Sequence, residues 1–196
     1  MIYAWHFIKE DGTSHGGYVP DADNQEQYEG KLQLCKSGLH ASERVIDALS
    51  YANGSIVRRV VCSGEIIKGD DKLVCSQRKE FWRLNITNVL HEFACRCAEQ
   101  AYTAANVTDG RCCWAAIQAK RDWLAGKIGD DELDAARDAA GPAAWDAAWD
   151  AARAATRAAA WDAAWDAAWA AAGPAARAAQ NKMLRQMILE ERRKQC

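Results

Sequence analysis

Short apolar runs separated by turn residues dominate the first 84 positions, which is the pattern of a small mixed domain. Residues 2–8 and 57–67 are rich in β-branched and aromatic side chains and predict strands, and residues 32–35 and 72–75 predict two shorter ones. Asp11-Gly12 is a turn signal that ends the first strand. These runs predict a small, mostly antiparallel sheet.

One amphipathic helix interrupts the predicted strands, over residues 43–52. Ser42 is a good N-cap residue for it, and Asn53-Gly54 would end it. Four apolar positions share one face of this helix: Val45, Ile46, Leu49 and Ala52. We therefore expect an α+β domain over residues 1–84, in which the single helix packs on the sheet.

Helical spacing replaces this pattern from residue 85 onward. Apolar residues at intervals of three and four predict a helix through Ala104, a second helix over residues 111–126 and a third that starts at Asp130. The chain ends in a segment, residues 182–194, with one apolar face made of Met183, Leu184, Met187 and Ile188. We expect residues 85–196 to form an all-α domain.

The helical half contains an alanine–tryptophan array over residues 131–180, in which 26 of the 45 residues from Ala135 to Ala179 are alanine. Its repeat of four residues drifts by about 40° per step on an α-helix. Gly141-Pro142 and Gly173-Pro174 suit helix ends, although Pro174 could instead kink a continuous helix.

The drift divides five tryptophan rings between nearly opposite helix faces: Trp145 and Trp149 on one, and Trp161, Trp165 and Trp169 on the other. One face needs a neighbour after the other has packed, so we expect a homodimer or higher oligomer with these rings at the interface. The array is scaffold in one interpretation and an aromatic binding surface for bases or a partner helix in another.

The charge balance of the chain and its lack of recognisable targeting signals reduce the number of protein classes to which it could belong. The chain has 25 Lys and Arg against 27 Asp and Glu, which argues against a dedicated nucleic-acid binder. Every alanine-rich stretch contains charges, so no membrane span is expected, and the N-terminus lacks the features of a signal peptide. A cytoplasmic location follows as an expectation, with the eight cysteines mostly reduced.

The segment from Ser37 to Ser42 resembles a binding site most closely. A strand, a glycine turn and a helix N-terminus would bring backbone N–H donors, hydroxyls and the His40 imidazole together, a combination that binds anions. The candidate ligand-binding residues are Ser37, His40, Ser42, Lys72, Arg78, Trp5 and Trp82. In the alternative interpretation, His40 bonds a carbonyl group and only fixes the turn.

The sequence gives little support for a metal site or for a catalytic centre. His6, His15, His40 and His91 are dispersed without ligand spacing, so we expect no metal and no cofactor. A nucleophile pair of Cys35 with His40 is conceivable, but Cys35 fits a strand position equally well. The sequence contains no phosphate-binding loop, dinucleotide fingerprint or hydrolase elbow. No catalytic residue is assigned.

Two family resemblances rest on longer strings of residues. Residues 1–84 resemble a phage-associated domain of unknown function, through the ordered segments 35–42 (CKSGLHAS), 47–52, 63–67 and 69–74. Residues 93–179 look like the Ala/Trp/Arg-rich part of immunity proteins, through segments 94–99 and 123–128. Together the resemblances imply a phage or mobile-element origin and supply no catalytic motif.

The expected function is therefore that of a non-enzymatic phage protein that antagonises a host defence in the host cytoplasm. It would sequester a nucleotide-derived small molecule or block a host protein. Two alternatives remain open: a small nucleotide-processing enzyme that uses His40 as general acid or base, and a purely structural oligomerisation module.

Overall fold

A computed structural model describes residues 1–14, 24–104, 111–139 and 174–195. Their backbone divides into two compact units. The first comprises Met1–Ile86 together with Ile188–Cys196, and the second comprises Thr87–Met187. The five tryptophans of the predicted interface (Trp145, Trp149, Trp161, Trp165 and Trp169) and Gly141-Pro142 lie outside the described residues.

The first unit is an antiparallel sheet with one short helix. Its elements are β1 (Ile2–Ile8), β2 (Gln25–Gln27), β3 (Leu39–Ala41), α1 (Val45–Leu49), β4 (Ile56–Lys68) and β5 (Leu73–Asn85). The strand order is β1-β4-β5-β2, and β3 pairs with another part of β5. An α+β fold is thus confirmed, and the predicted strands over residues 2–8 and 57–67 are β1 and most of β4.

The sheet curls until its edges approach each other. Beyond β3, the backbone of Ser42 exchanges hydrogen bonds of 2.7 and 3.0 Å with Trp5 of β1, so pairing runs from β1 through β4, β5 and β3 back to β1. Small and branched side chains fill the inner face: Ala4, Leu39, Ala41, Val60, Cys62, Leu73 and Cys75. Burying these apolar groups is the main driving force for the curled sheet.

Two irregularities shape the hairpin of β4 and β5. Arg59 pairs with Trp82 but Val60 pairs with Glu80, so Phe81 is an extra residue in β5. The second shift follows Ser63, where Gly64 has a φ of 71°. A Cβ atom at Gly64 would lie 2.2 Å from Ser76 Oγ, so only glycine fits there.

Two local expectations are wrong. Residues 32–35 form a turn closed by an isolated Gln33–Ser37 bridge, because Cys35 adopts a left-handed φ of 68°. In place of the predicted helix 43–52, the structure has a helix of five residues, Val45–Leu49. Its N-cap residue, Arg44, makes no capping hydrogen bond through its side chain. Ser42 cannot cap this helix because its backbone is still paired with Trp5.

The second unit is helical in its described parts, with α2 (Thr87–Ala104), α3 (Arg111–Leu124) and α4 (Asp130–Asp138). The last helix, α5 (Pro174–Gln195), counts with this unit as far as Met187. The predicted apolar face of α2 is confirmed, since Val89, Leu90, Phe93, Ala94, Cys97 and Ala98 are all buried. No helix in the described part of the chain is long and apolar enough to cross a membrane.

One arginine joins α2 to α3. Arg121 donates hydrogen bonds of 2.9 and 3.0 Å to Glu92 and of 2.6 and 2.9 Å to Glu99. These hydrogen bonds raise the pKa of Arg121 against the opposing effect of burial. Because a planar guanidinium can bond two carboxylates at once, this contact fixes the register of the two helices.

Candidate functional site

The predicted site centres on a tight turn that the His40 ring holds in place. The backbone N–H of Cys35 donates to His40 Nε2 over 3.0 Å, and His40 Nδ1 donates to the Gly38 carbonyl oxygen over 3.2 Å. Ser37 Oγ donates to the Lys31 carbonyl oxygen over 2.7 Å. Both ring nitrogens and the Ser37 hydroxyl are therefore bonded to the protein's own backbone.

The environment favours the neutral form of the His40 imidazole. Burial lowers the pKa of His40, and the charges of Lys72 and Arg78 lower it further, against the opposing bond to Gly38. The structure thus brings three of the predicted site residues into one electrostatic neighbourhood. A neutral ring that donates from Nδ1 and accepts at Nε2 has the tautomer that the turn requires.

Lys72 is the less buried of the two cations in this neighbourhood. Its Nζ atom lies 3.8 Å from the centroid of the Tyr51 ring, and the Tyr51 hydroxyl donates to Asp71. Burial works to lower the pKa of Lys72, but hydrogen bonds with Cys35 and Tyr51 raise it overall. We call Cys35, Tyr51, Asp71 and Lys72 the Lys72 cluster. Tyr51 is 46% exposed, so the cluster opens to solvent.

Arg78 and Ser42, two other predicted site residues, are buried and do not form the expected anion site. Arg78 is buried and donates bonds of 2.6 and 2.9 Å to Glu26, with a further bond to the His40 carbonyl oxygen. Ser42 is buried beside Trp5, and α1 has only five residues. The expectation of a capped helix N-terminus as an anion site is therefore wrong, because the helix is too short and starts too late.

The two predicted tryptophans pack within the protein. Trp5 and Trp82 contact each other edge to face, with ring centroids 5.8 Å apart. Arg59 lies 4.6 Å above the Trp5 ring and Arg192 lies 4.6 Å above the Trp82 ring. Trp5 is only 3% exposed, so its ring is not open to a base.

A buried charge network was not foreseen. Arg58 donates to Glu80 over 3.2 Å, to Glu26 over 3.2 and 3.3 Å, and to His6 Nδ1 over 2.9 Å. Together with Arg78, which also binds Glu26, these residues form what we call the inner ion network. The signal for it was the alternation of Arg58 with Val60 and Cys62 in one strand, which places a charge on the core face.

Burial raises the pKa of Glu26, but the hydrogen bonds and charges of Arg78 and then of Arg58 outweigh it and hold this pKa below its ordinary value. Burial also lowers the pKa of Arg58, and the charge of Arg78 adds to that effect. The carboxylate of Glu26 is therefore the group that makes it possible to bury two guanidinium groups side by side.

The remaining groups with possible reactivity are the cysteine thiols and the side chains that could bind a metal ion. Cys62, Cys75, Cys95 and Cys97 are free and buried, and burial raises the pKa of Cys95 to about 11 and that of Cys97 to about 12. Cys35 is a free, exposed thiol. Across the described ranges, no three His, Cys, Asp or Glu side chains are grouped so that they could hold a metal ion.

Comparison with known proteins adds one family. Residues 2–92 match the model of a domain of unknown function, DUF7666, so the N-terminal part of the chain is similar to that family. The match covers β1 through the first turns of α2. No curated protein and no solved structure matches the chain.

Proposed function

We propose that the chain is a non-enzymatic binding protein of phage or mobile-element origin. It acts in the host cytoplasm and antagonises a host defence by sequestering a nucleotide-derived signal or by blocking a host protein. The resemblance of residues 35–42 to a phage-associated domain motivates the origin. The geometry around His40 motivates the choice of binding over catalysis.

The observation that carries this choice is the bonding of the His40 ring. A general acid or base must exchange a proton with the substrate, so it needs a ring nitrogen within hydrogen-bond reach of that substrate. In this turn Nε2 accepts from Cys35 and Nδ1 donates to Gly38. A catalytic role for His40 would require the turn to open, whereas a structural role uses the bonds already present.

The Lys72 cluster favours an anionic ligand with a flat group. The Lys72 ammonium is fixed above the Tyr51 ring, and Lys36 is an exposed cation in the same turn as Cys35. A fixed cation beside an exposed aromatic ring offers one contact for a phosphate and one for a base. A nucleotide-derived molecule has both groups, so it is the ligand class we propose for this cluster.

We expect Lys72→Gln to weaken nucleotide binding by about tenfold or more, because a lost bond to a charged group typically costs 1.5–3 kcal/mol. The measurement is a thermal-shift titration with mononucleotides, dinucleotides and cyclic dinucleotides. A saturating ligand should raise the Tm of the native chain by about 5 °C or more. Lys31→Gln is the matched control, since Lys31 is exposed and contributes its backbone carbonyl group to the turn.

The proposal fails for this cluster if no nucleotide shifts the Tm, or if both lysine variants respond like the native chain. Lys72 is preferred to His40 for the test. His40→Ala would also remove the two bonds that hold the turn, so its effect could not be assigned to the ligand.

Self-association through the tryptophan array is the second part of the proposal. Its support is the sequence pattern, which places Trp161 and Trp165 nearly opposite Trp145 and Trp149 on a helix. Replacing Trp161 and Trp165 together with alanine should yield monomer or unfolded chain, because large aromatic truncations in a core cost about 3–5 kcal/mol. Light scattering is the measurement, and Asp162→Asn is the control. A well-folded native monomer at micromolar concentration would contradict the proposal.

A further inference from the structure

Two stacked aromatic rings stand exposed on the outer face of the sheet. Tyr3 of β1 and Phe81 of β5 have ring centroids 5.5 Å apart at an interplanar angle of 25°. Tyr3 is 60% exposed and Phe81 is 51% exposed, whereas Val61 of β4, which pairs with Tyr3, is buried. The extra residue in β5 is what turns both Phe81 and Trp82 outward, because it interrupts the alternation of faces.

Cations surround this pair, which we call the Tyr3–Phe81 surface. Arg59 lies 5.7 Å from the Tyr3 ring centroid, between the two strands that carry the rings. Lys79 is exposed two residues before Phe81 and pairs with Val61 and with Gln25 of β2. Arg192 of α5 lies over the neighbouring Trp82 ring.

The carboxylates of β2 and β5 are engaged on the other face of the sheet. Glu80 and Glu26 are buried on the inner face, where Arg58 and Arg78 bind them. On α5, Glu191 is paired with Lys194. Lys79 and Arg192 therefore place positive charge beside the two rings, although the whole chain has a formal net charge of −2.

We propose that the Tyr3–Phe81 surface binds single-stranded nucleic acid. Exposed rings on a sheet accept unpaired bases by stacking, and every base has a face that can stack, so the contact tolerates any sequence. Lys79 and Arg192 are the cations that would meet the phosphates between stacked bases. A duplex hides the faces of its bases, so it should bind much more weakly. This proposal is independent of the Lys72 cluster.

Fluorescence anisotropy with a labelled oligothymidylate at low salt tests the proposal. The double variant Tyr3→Ala/Phe81→Ala should weaken binding by about tenfold or more, given the usual contribution of aromatic stacking. Tyr3→Phe and Phe81→Tyr should retain binding, because each keeps its ring. Trp114→Ala is the matched control, since Trp114 is also an exposed aromatic side chain (42%) but lies in α3.

Two further measurements distinguish this surface from the Lys72 cluster and show whether charge contributes to the binding. The double variant Tyr3→Ala/Phe81→Ala should keep the thermal shift that a mononucleotide gives the native chain, so failure at one surface is distinguishable from failure at the other. Affinity should fall steeply with added salt, because cations displaced from the phosphates are released.

The proposal is overturned if the oligothymidylate does not bind, or if the double alanine variant binds it as the native chain does while circular dichroism shows both folded. It is also overturned if a duplex or polyglutamate competes as well as the single strand. That result would indicate a surface for any acidic partner, including an acidic protein.

Discussion

Replacing Glu26 with glutamine should lower the free energy of unfolding by about 3–5 kcal/mol, the usual cost of removing one partner from a buried ion pair. Glu26 is 5% exposed and is the carboxylate shared by Arg58 and Arg78, which are 0% and 2% exposed. The amide of glutamine carries no charge, so Arg58 keeps one buried carboxylate partner, Glu80, while Arg78 loses the carboxylate that it binds. Urea unfolding, followed by circular dichroism, measures the loss.

The control for this experiment is an ion pair of the same chemistry on the surface of the same unit. Glu43 and Lys68 are 2.7 Å apart, but their side chains are 53% and 55% exposed. Glu43→Gln should therefore change the free energy of unfolding by less than about 1 kcal/mol. Equal effects of Glu26→Gln and Glu43→Gln would show that the inner ion network contributes nothing beyond a surface pair.

We expect the helical unit to lose stability as the pH falls, at pH values at which ordinary carboxylates are still ionised. The expected cause is protonation of His91. Burial, with a smaller contribution from the Lys120 charge, lowers the pKa of His91 from 6.5 to about 4. His91 is buried against the Trp123 ring, with centroids 5.7 Å apart, and its Nδ1 atom has no hydrogen-bond partner among the residues that the structure describes. Lys120 Nζ lies 3.6 Å from the same Trp123 ring. A proton on His91 would thus add a second charge to a confined space.

The sign of the effect follows from proton uptake. Between pH 6.5 and about 4 the unfolded chain binds a proton at His91 that the folded chain does not, so stability present above pH 6.5 is lost as the pH falls. The total loss is about 3 kcal/mol, at about 1.4 kcal/mol for each pH unit. His91→Gln should remove this part of the pH dependence. Identical curves for the native chain and the variant between pH 6.5 and 5 would contradict the assignment.

Long regular patterns made the sequence informative about the fold. The strands at residues 2–8 and 57–67 and the helix Thr87–Ala104 repeat their apolar spacing over enough residues to be recognised. The strand predicted over residues 72–75 is β5 and continues to Asn85, because the polar run after Cys75 hides its alternation. Arg78 and Glu80 in that run are buried because each has an oppositely charged partner, Glu26 for Arg78 and Arg58 for Glu80.

The sequence predicted where the candidate site lies, but it did not predict the contacts that its residues make. The string around His40 correctly marks a turn beside β3, and its proximity to Lys72 and Arg78 is real. The sequence could not show that Cys35 turns its N–H toward His40, since this depends on a left-handed backbone at a residue other than glycine. It also could not show which aromatic residues are exposed, because the extra residue at Phe81 decides that.

The most direct test of the central claim, that this protein binds a nucleotide-derived ligand without transforming it, is recovery of the ligand after incubation. A ligand identified by calorimetric titration is incubated in large molar excess over the native chain, the protein is denatured, and the nucleotide is analysed by liquid chromatography and mass spectrometry. The account predicts saturable binding and quantitative recovery of the intact ligand. Conversion of the excess ligand to product would contradict it and favour the enzymatic alternative.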